Sequence, residues 1–534
     1  MITLSQPLKL AQTALLAAAT VLLAFLFFVY VAYAINLMQF PFDYDQGEGF
    51  ELVDTVMFSQ GRLPYQDADV FPFYASNYPP LYHVIAAPFV WFFGTAYWYG
   101  RLIGFLAGLI AAAAIGYAVY RGSGHRWIAL LSALAFLASN TVYHIGPLFR
   151  QHMTMVMFEA LAVVILAGVN EIVDTPRRRR VMVLGMLMLL AAGYTKQLAA
   201  FTVIAAFLFL FIRQPRRAVV WGIGFAVAAA AIFVWLNVAT NGEWWTHVIA
   251  ANINRYNLDQ TLGLYRLWFG LHGFLIVPAV LYALYELYVD RLSIYTIWFV
   301  VAVGVGAASG QWGAGDSYFA TAIAATCILS GLFIARTLNA GWRFNLTQTI
   351  SKNPEPRTQN SLSRLLATIV PTLYLLYAIA TFHMPTQGAL FGDIARLLNL
   401  QPNTDHAFYD SAGRIAGGYA DIGHFTTEAD VEAGWRIVEI VRNAEGYAMT
   451  EDASFSLLAG REAIGNPTQL LNLASNGLFD SSALIALIEQ QAFGVIIFRG
   501  QLYPPDVLQA IAEHYAPSET IAMNGFGYII MRPK

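Results

Sequence analysis

The chain has 534 residues, of which 58% are hydrophobic and only 12% charged; its net charge is −3 and its mean hydropathy +0.54. Soluble domains carry about 25% charged residues, so a soluble globular class is excluded, and the near-neutral balance gives no footing to a nucleic-acid partner. A single cysteine, Cys327, lies inside an apolar run and excludes an internal disulfide framework.

The first apolar run, near 10–35, ends at Ala32-Tyr33-Ala34, which mimics a signal-peptidase site. The run exceeds the roughly 7–15 residues of a signal-peptide core and is read as a retained span. Directly after it stands "FDYDQGEGFE", Phe42 to Glu51, with four carboxylates in ten residues. From Glu48 onward Phe50, Val53 and Val56 or Met57 fall on one face, which predicts an interfacial helix. Gly47 and Gly49 interrupt regularity just before it and leave Asp43 and Asp45 in a turn at the helix N-terminus, where anions are favoured.

Further spans are predicted near 96–119, 127–145, 147–169, 181–194, 197–212, 218–239, 267–288, 293–309, 317–335 and 365–383, about eleven in all. Basic clusters at Arg121–Arg126, Arg177–Arg180, Arg213–Arg217, Arg291 and Arg336–Arg364 are placed in the cytoplasm by the positive-inside rule. The segment 80–94, "PLYHVIAAPFVWFFG", would invert every later loop if it crossed the membrane. At ~22 Å of helix it is short for a ~30 Å core, and it reads as re-entrant or interfacial. The N-terminus is then inside and the C-terminus outside. Outer loops fall at 36–80, 240–266 and 310–316, with outer turns at Tyr143–Arg150 and Gly193–Lys196. The inner loop near 337–363 reads as a linker, and its sequon Asn345-Leu346-Thr347 is expected to be idle there.

After His383 charge returns. Residues 384–534 are predicted to form a small extracytoplasmic α/β domain behind the transmembrane domain 1–383. Its helices are "DVEAGWRIVEIVRNA" and "PPDVLQAIAEHY", and its strands "FGVIIF" and "GFGYIIMR". The first helix should align Val431, Trp435, Ile437 or Val438, and Val441. No internal repeat is present.

The polar residues gather at the predicted outer face. They are Asp43, Asp45 and Glu48 of the acidic loop; Arg101, Arg150, Lys196 and Arg255; and His152, Gln197, Tyr256, Asp316 and Tyr318 of the outer turns. A solvated acidic loop is one reading of the carboxylates, and a general base or metal ligand at the membrane surface is the other. Snorkelling to the headgroups competes with phosphate binding for the cations. His152 is as readily a structural histidine as a ligand.

The order of motifs resembles the GT-C superfamily of membrane glycosyltransferases. It runs from the acidic loop through "GRLPYQD", "NYPPLYH", "WYGRLIGFLAGLIAAAAIGYAVYR" and "YTKQ" to "GAGDSYF". The nearest branch is the one with protein O-mannosyltransferases and the lipid A aminoarabinose transferase. The likeness spans roughly residues 10–335, and order and spacing carry it. It implies a polytopic α-helical fold, a polyprenyl-phosphate sugar donor, and a glycan, lipid or protein acceptor met outside the cytoplasm. The acidic residue after the first span is then the expected base, a place for which Asp43, Asp45 and Glu48 compete. Lys196 and Arg101 fit the cations expected on the lipid phosphate. Relatives often carry aspartate at the position of His152 and asparagine near that of Asp316, so the resemblance fixes no cofactor and leaves a divalent metal open. The resulting expectation is inverting sugar transfer, with Arg150 and Arg255 joining Arg101 and Lys196 around the leaving phosphate. The competing class is a transporter or lipid flippase, for which midplane charges and inverted repeats are the usual signs.

Overall fold

The computed structural model describes residues 6–339, 368–413 and 423–534. The loop 337–363, its sequon and the start of the predicted span 365–383 therefore fall largely or wholly outside the described residues. The chain is mainly helical, with a small mixed α/β region at its C-terminal end.

Among the described residues six helical segments are long and apolar enough to cross a membrane. They are Gln6–Gln39, Trp98–Ser123, His152–Glu171, Pro215–Ala239, Leu258–Tyr288 and Asp316–Leu338. The helices run in chain order as α1 (Gln6–Gln39), α2 (Glu48–Ser59), α3 (Leu81–Phe93), α4 (Trp98–Ser123), α5 (Arg126–Leu137), α6 (Asn140–Ile145) and α7 (His152–Ala167). They continue as α8 (Thr175–Thr195), α9 (Ala200–Arg213), α10 (Pro215–Ala239), α11 (Glu243–Val248), α12 (Leu258–Tyr288), α13 (Ile294–Val305), α14 (Ala320–Leu338) and α15 (Thr372–Ala380). Side-chain size sorts them by depth. Alanine-rich α14 is buried on nearly every face, as small residues allow helix backbones to approach. By contrast α10 buries only Ala218 and Leu236 and turns Val220, Ile223, Val227 and Trp235 outward, a surface suited to hydrocarbon.

The stretch 127–145 differs from expectation. It is two helices, because Ser139 adopts an extended conformation between α5 and α6. The Ser139 hydroxyl meets His272 Nε2 at 2.8 Å, so a polar contact to α12 holds the break. The predicted start at 147 is also early: α7 begins at His152, after a turn that carries Arg150. Helix α3 has 13 residues and ends at Gly94, with Trp91, Phe92 and Phe93 exposed. It is as short as the sequence implied.

In the C-terminal region four strands form one sheet in the order β3 (Tyr447–Thr450), β4 (Phe493–Phe498), β6 (Phe526–Pro533), β5 (Tyr515–Met523). β3 and β4 are parallel, and the other pairs are antiparallel. A separate antiparallel pair joins β1 (His383–Pro385) to β2 (Phe408–Asp410). The expected helices are present at Glu428–Arg442 and Pro505–His514. Ile437, Val438 and Val441 are buried, whereas Trp435 stays at the rim against Phe42. β5, β3 and the helices Ala453–Leu458, Pro467–Ser475 and Ser482–Glu489 were not foreseen.

This region closes over the loop that follows α1. Phe42 packs on Trp435 and Phe455, and the main-chain carbonyl of Tyr44 accepts from Arg499 at 2.9 Å and from Asn524 at 3.1 Å.

Candidate active site

Three carboxylates within six residues end in three environments. Glu48 opens α2 and is fully buried. Both its oxygens face Arg101 of α4, at 2.9 and 2.7 Å, and it also accepts the N–H groups of Tyr44 (2.9 Å) and Phe149 (2.6 Å). Arg101 spends its remaining donors on the carbonyls of Leu37, Phe40 and Phe42. Every hydrogen bond of the pair is internal, and neither residue borders a cavity. The guanidinium donors of Arg101 are thus all engaged within the chain, where they splice the end of α1 to α2.

Asp43 is also buried. It accepts from the Tyr97 hydroxyl at 2.9 Å and from the Ser454 N–H at 3.1 Å. Burial, reinforced by nearby Asp452, pushes its carboxyl up to about 8. It ties the loop to the C-terminal region.

Asp45 differs from both. Its side chain is 18% exposed, it faces Arg150 Nε at 3.3 Å, and it borders a cavity of about 320 Å³ together with His144, His152 and Asp316. Arg150, 17% exposed, also reaches toward Glu51 Oε1 at 3.8 Å. Glu51 belongs to a second cavity of about 290 Å³, on the other side of the guanidinium, whose walls include Lys196, Gln197, Tyr78 and Tyr318. Arg150 lines both spaces. Volumes near 300 Å³ are at the lower end of small-ligand sites.

Lys196 is the first residue beyond α8 and is almost fully buried. Its ammonium donates to His152 Nε2 at 2.8 Å and sits 4.5 Å from the Tyr78 ring and 5.7 Å from that of Tyr318. Burial first, and Arg150 second, pull it down to about 7, with Glu51 opposing. Burial likewise lifts the Glu51 carboxyl to about 8 against the pull of Arg150, and the Asp54 carboxyl to about 7 against hydrogen bonds from Ser76 and Tyr74.

The structure thus brings Asp45, Arg150, His152, Lys196, Gln197, Asp316 and Tyr318 around two adjoining cavities. Arg255 and Tyr256 are exposed and border neither; the Arg255 carbonyl accepts from Trp312, and Tyr256 pairs with Gln311. Two contributions escaped the sequence. Glu51, the last carboxylate of the acidic stretch, faces a cavity from a helix whose periodicity marks Phe50, Val53 and Val56 or Met57 for packing and leaves Glu51 off that face. Asn466, Thr468 and Asn472 reach the second cavity from the C-terminal region. In the sequence "NPTQLLN" signals only a helix start, a role that Asn466 does fill by capping Pro467–Ser475.

The fold that presents this site is shared with solved structures of known proteins. Two crystal structures of ArnT from Cupriavidus metallidurans share it. The form bound to undecaprenyl phosphate superposes with a TM-score of 0.58 at 14% identity, covering 96% of this chain and 97% of the other. The apo form gives 0.56 at 15% identity over 94% and 96%. The apo oligosaccharyltransferase of Archaeoglobus fulgidus gives 0.50 at 12% identity, covering 97% of this chain and 74% of that one. No family model matches the sequence, and neither does any curated protein.

Proposed function

We propose that the chain is a membrane glycosyltransferase that moves a sugar, with inversion, from a polyprenyl-phosphate donor to an acceptor hydroxyl outside the cytoplasm. The observation that carries this reading is Arg150 standing between two cavities, with a carboxylate, Asp45, on one side and a second cation, Lys196, on the other. The likeness to a protein crystallised with undecaprenyl phosphate supports a lipid-phosphate ligand.

In this scheme Asp45 accepts the acceptor's proton as its oxygen attacks the anomeric carbon. The bond from that carbon to the phosphate oxygen breaks, and its electron pair leaves with the lipid phosphate. Arg150 and Lys196 balance the charge that develops there. Phosphate is a good leaving group at this charge balance, so no second carboxylic acid is needed. Of the three carboxylates that compete in the sequence, Asp45 alone lines one of these two cavities, and Asp43 and Glu48 hold the loop that presents it. The test is incubation of the purified protein with polyprenyl-phosphate sugars: free polyprenyl phosphate is expected, and none with any donor and acceptor tried would remove the enzyme reading.

For Lys196→Met we expect donor binding and transfer to fall roughly 10- to 150-fold, since a charge-assisted contact is worth about 1.5–3 kcal/mol. Arg150→Met should act on the same phosphate, so the double variant should lose less than the sum. Unchanged donor affinity in Lys196→Met would take this residue out of the site.

The cavities are walled by the predicted outer turns together with the C-terminal region. The basic ends contact one another elsewhere: Arg213 donates to the Leu292 carbonyl at 2.6 Å, and Arg336 pairs with Asp290 at 3.3 Å. This supports a cytoplasmic N-terminus and an extracytoplasmic C-terminal domain. Cysteines placed at Arg178 and at exposed Gln490 should respectively resist and accept an impermeant reagent on intact cells. The native Cys327 is buried and adds no background. The opposite labelling pattern would reverse the topology.

A further inference from the structure

Behind the second cavity, three buried side chains point at a common spot. Glu51 and Asp54 lie on α2, and His83 lies on α3. One donor atom from each falls within 4.8 Å of the others. His83 Nε2 is 3.3 Å from Glu51 Oε2 and 3.6 Å from Asp54 Oδ2. His83 is wholly buried, yet neither its Nε2 nor Glu51 Oε2 has a hydrogen-bond partner.

The surrounding hydrogens explain why. The Thr55 hydroxyl donates to the Glu51 carbonyl at 2.7 Å and lies 3.4 Å from His83 Nδ1. With its proton spent, Thr55 can only accept, so Nδ1 carries the ring proton and Nε2 presents a lone pair. Asp54 is oriented by Tyr74 at 2.8 Å on one oxygen and by Ser76 at 2.5 Å on the other. With both carboxylates ionised, three acceptors therefore converge in a buried space with no donor between them, an arrangement that costs free energy unless a proton or a cation sits there.

We propose that Glu51, Asp54 and His83 form a binding site for a divalent transition metal, set into the wall of the second cavity. Donors about 2.0–2.2 Å from a tetrahedral ion stand about 3.3–3.6 Å apart, the separations that His83 makes with the two carboxylates. An imidazole in the set favours zinc and its neighbours over calcium or magnesium, which take oxygen donors. Thr55, Tyr74 and Ser76 supply the outer hydrogen bonds that fix ligand orientation at such centres. Of the three ligands only Glu51 borders the cavity, which gives the ion its route of entry and leaves one coordination position for water. The ion would sit on the side of Glu51 away from Arg150 and add positive potential behind the proposed phosphate site. The assignment stands on these side chains and is independent of the reaction proposed above.

The test uses the full chain in detergent, stripped with chelator and titrated calorimetrically with Zn²⁺ alone. One ion per chain is expected, with His83→Gln binding at least about 100-fold more weakly and Ser76→Ala about 10-fold more weakly. Zn²⁺ should also raise the melting temperature of the wild type and not that of His83→Gln. Should His83→Gln fail to fold, X-ray absorption at the zinc edge of the loaded wild type decides. One imidazole with oxygen neighbours is expected. Absence of stoichiometric binding, equal affinity in His83→Gln, or a zinc shell without a single imidazole would overturn the site.

Discussion

Asp45→Asn is expected to lower sugar transfer by at least ~100-fold while donor binding and folding are retained, the usual scale of general-base catalysis. The substitution keeps shape and removes only the ability to take a proton. Asp45 is partly exposed and among the described residues its close ion pair is with Arg150, so no buried network collapses with it. Asp43→Asn is the informative contrast. That residue accepts hydrogen bonds from Tyr97 and Ser454 in the interior and borders no cavity, so transfer should persist. Turnover near wild type in Asp45→Asn, or a greater loss in Asp43→Asn from a correctly folded protein, would reassign the base.

Arg101→Met should destabilise the fold by about 3–5 kcal/mol, the cost of leaving the partner of a buried pair uncompensated. Glu48 would keep its three backbone donors, the N–H groups of Tyr44, Asp45 and Phe149, and lose the guanidinium, and the carbonyls of Leu37, Phe40 and Phe42 would lose theirs. The measurement is the yield of monodisperse protein and its melting temperature in detergent. The double variant Arg101→Met, Glu48→Met should recover part of the loss, because no charge is then left unpaired. If Arg101 instead held the donor phosphate, stability would hold and donor affinity would fall. The two outcomes separate a splice from a ligand-binding residue.

The two cases show what the sequence could and could not say. Apolar runs and basic loops made the helical class legible, because both follow from the medium around the chain rather than from its internal packing. Co-location of Arg150, His152, Lys196 and Asp316 was legible too, since each sits at the same predicted end of its span. The ranking of Asp43, Asp45 and Glu48 was not. The residues differ by two or three positions, and their fates depend on partners far along the chain: Ser454 for one, Arg150 for the next, Arg101 for the third. Arg255 shows the same limit in reverse, for it lines neither cavity. It lies in an outer loop rich in site-like residues, but its side chain points to solvent. Ser139 broke a span that hydropathy drew as continuous, because a hydroxyl and an imidazole in two helices weigh little in an averaged window.

The clamp on Tyr44 bears on how the protein is made. The main-chain carbonyl just before Asp45 is held by Arg499 and Asn524, which follow it by 455 and 480 residues. At about 5–20 residues per second, translation needs about 24–96 s to deliver the last of them. Throughout that interval the nascent chain is already threading its helices into the bilayer, with its acidic loop unfastened. Maturation of the loop therefore waits on the final segment to leave the ribosome, and a truncated product would populate the membrane with helices in place and an unfinished reaction centre.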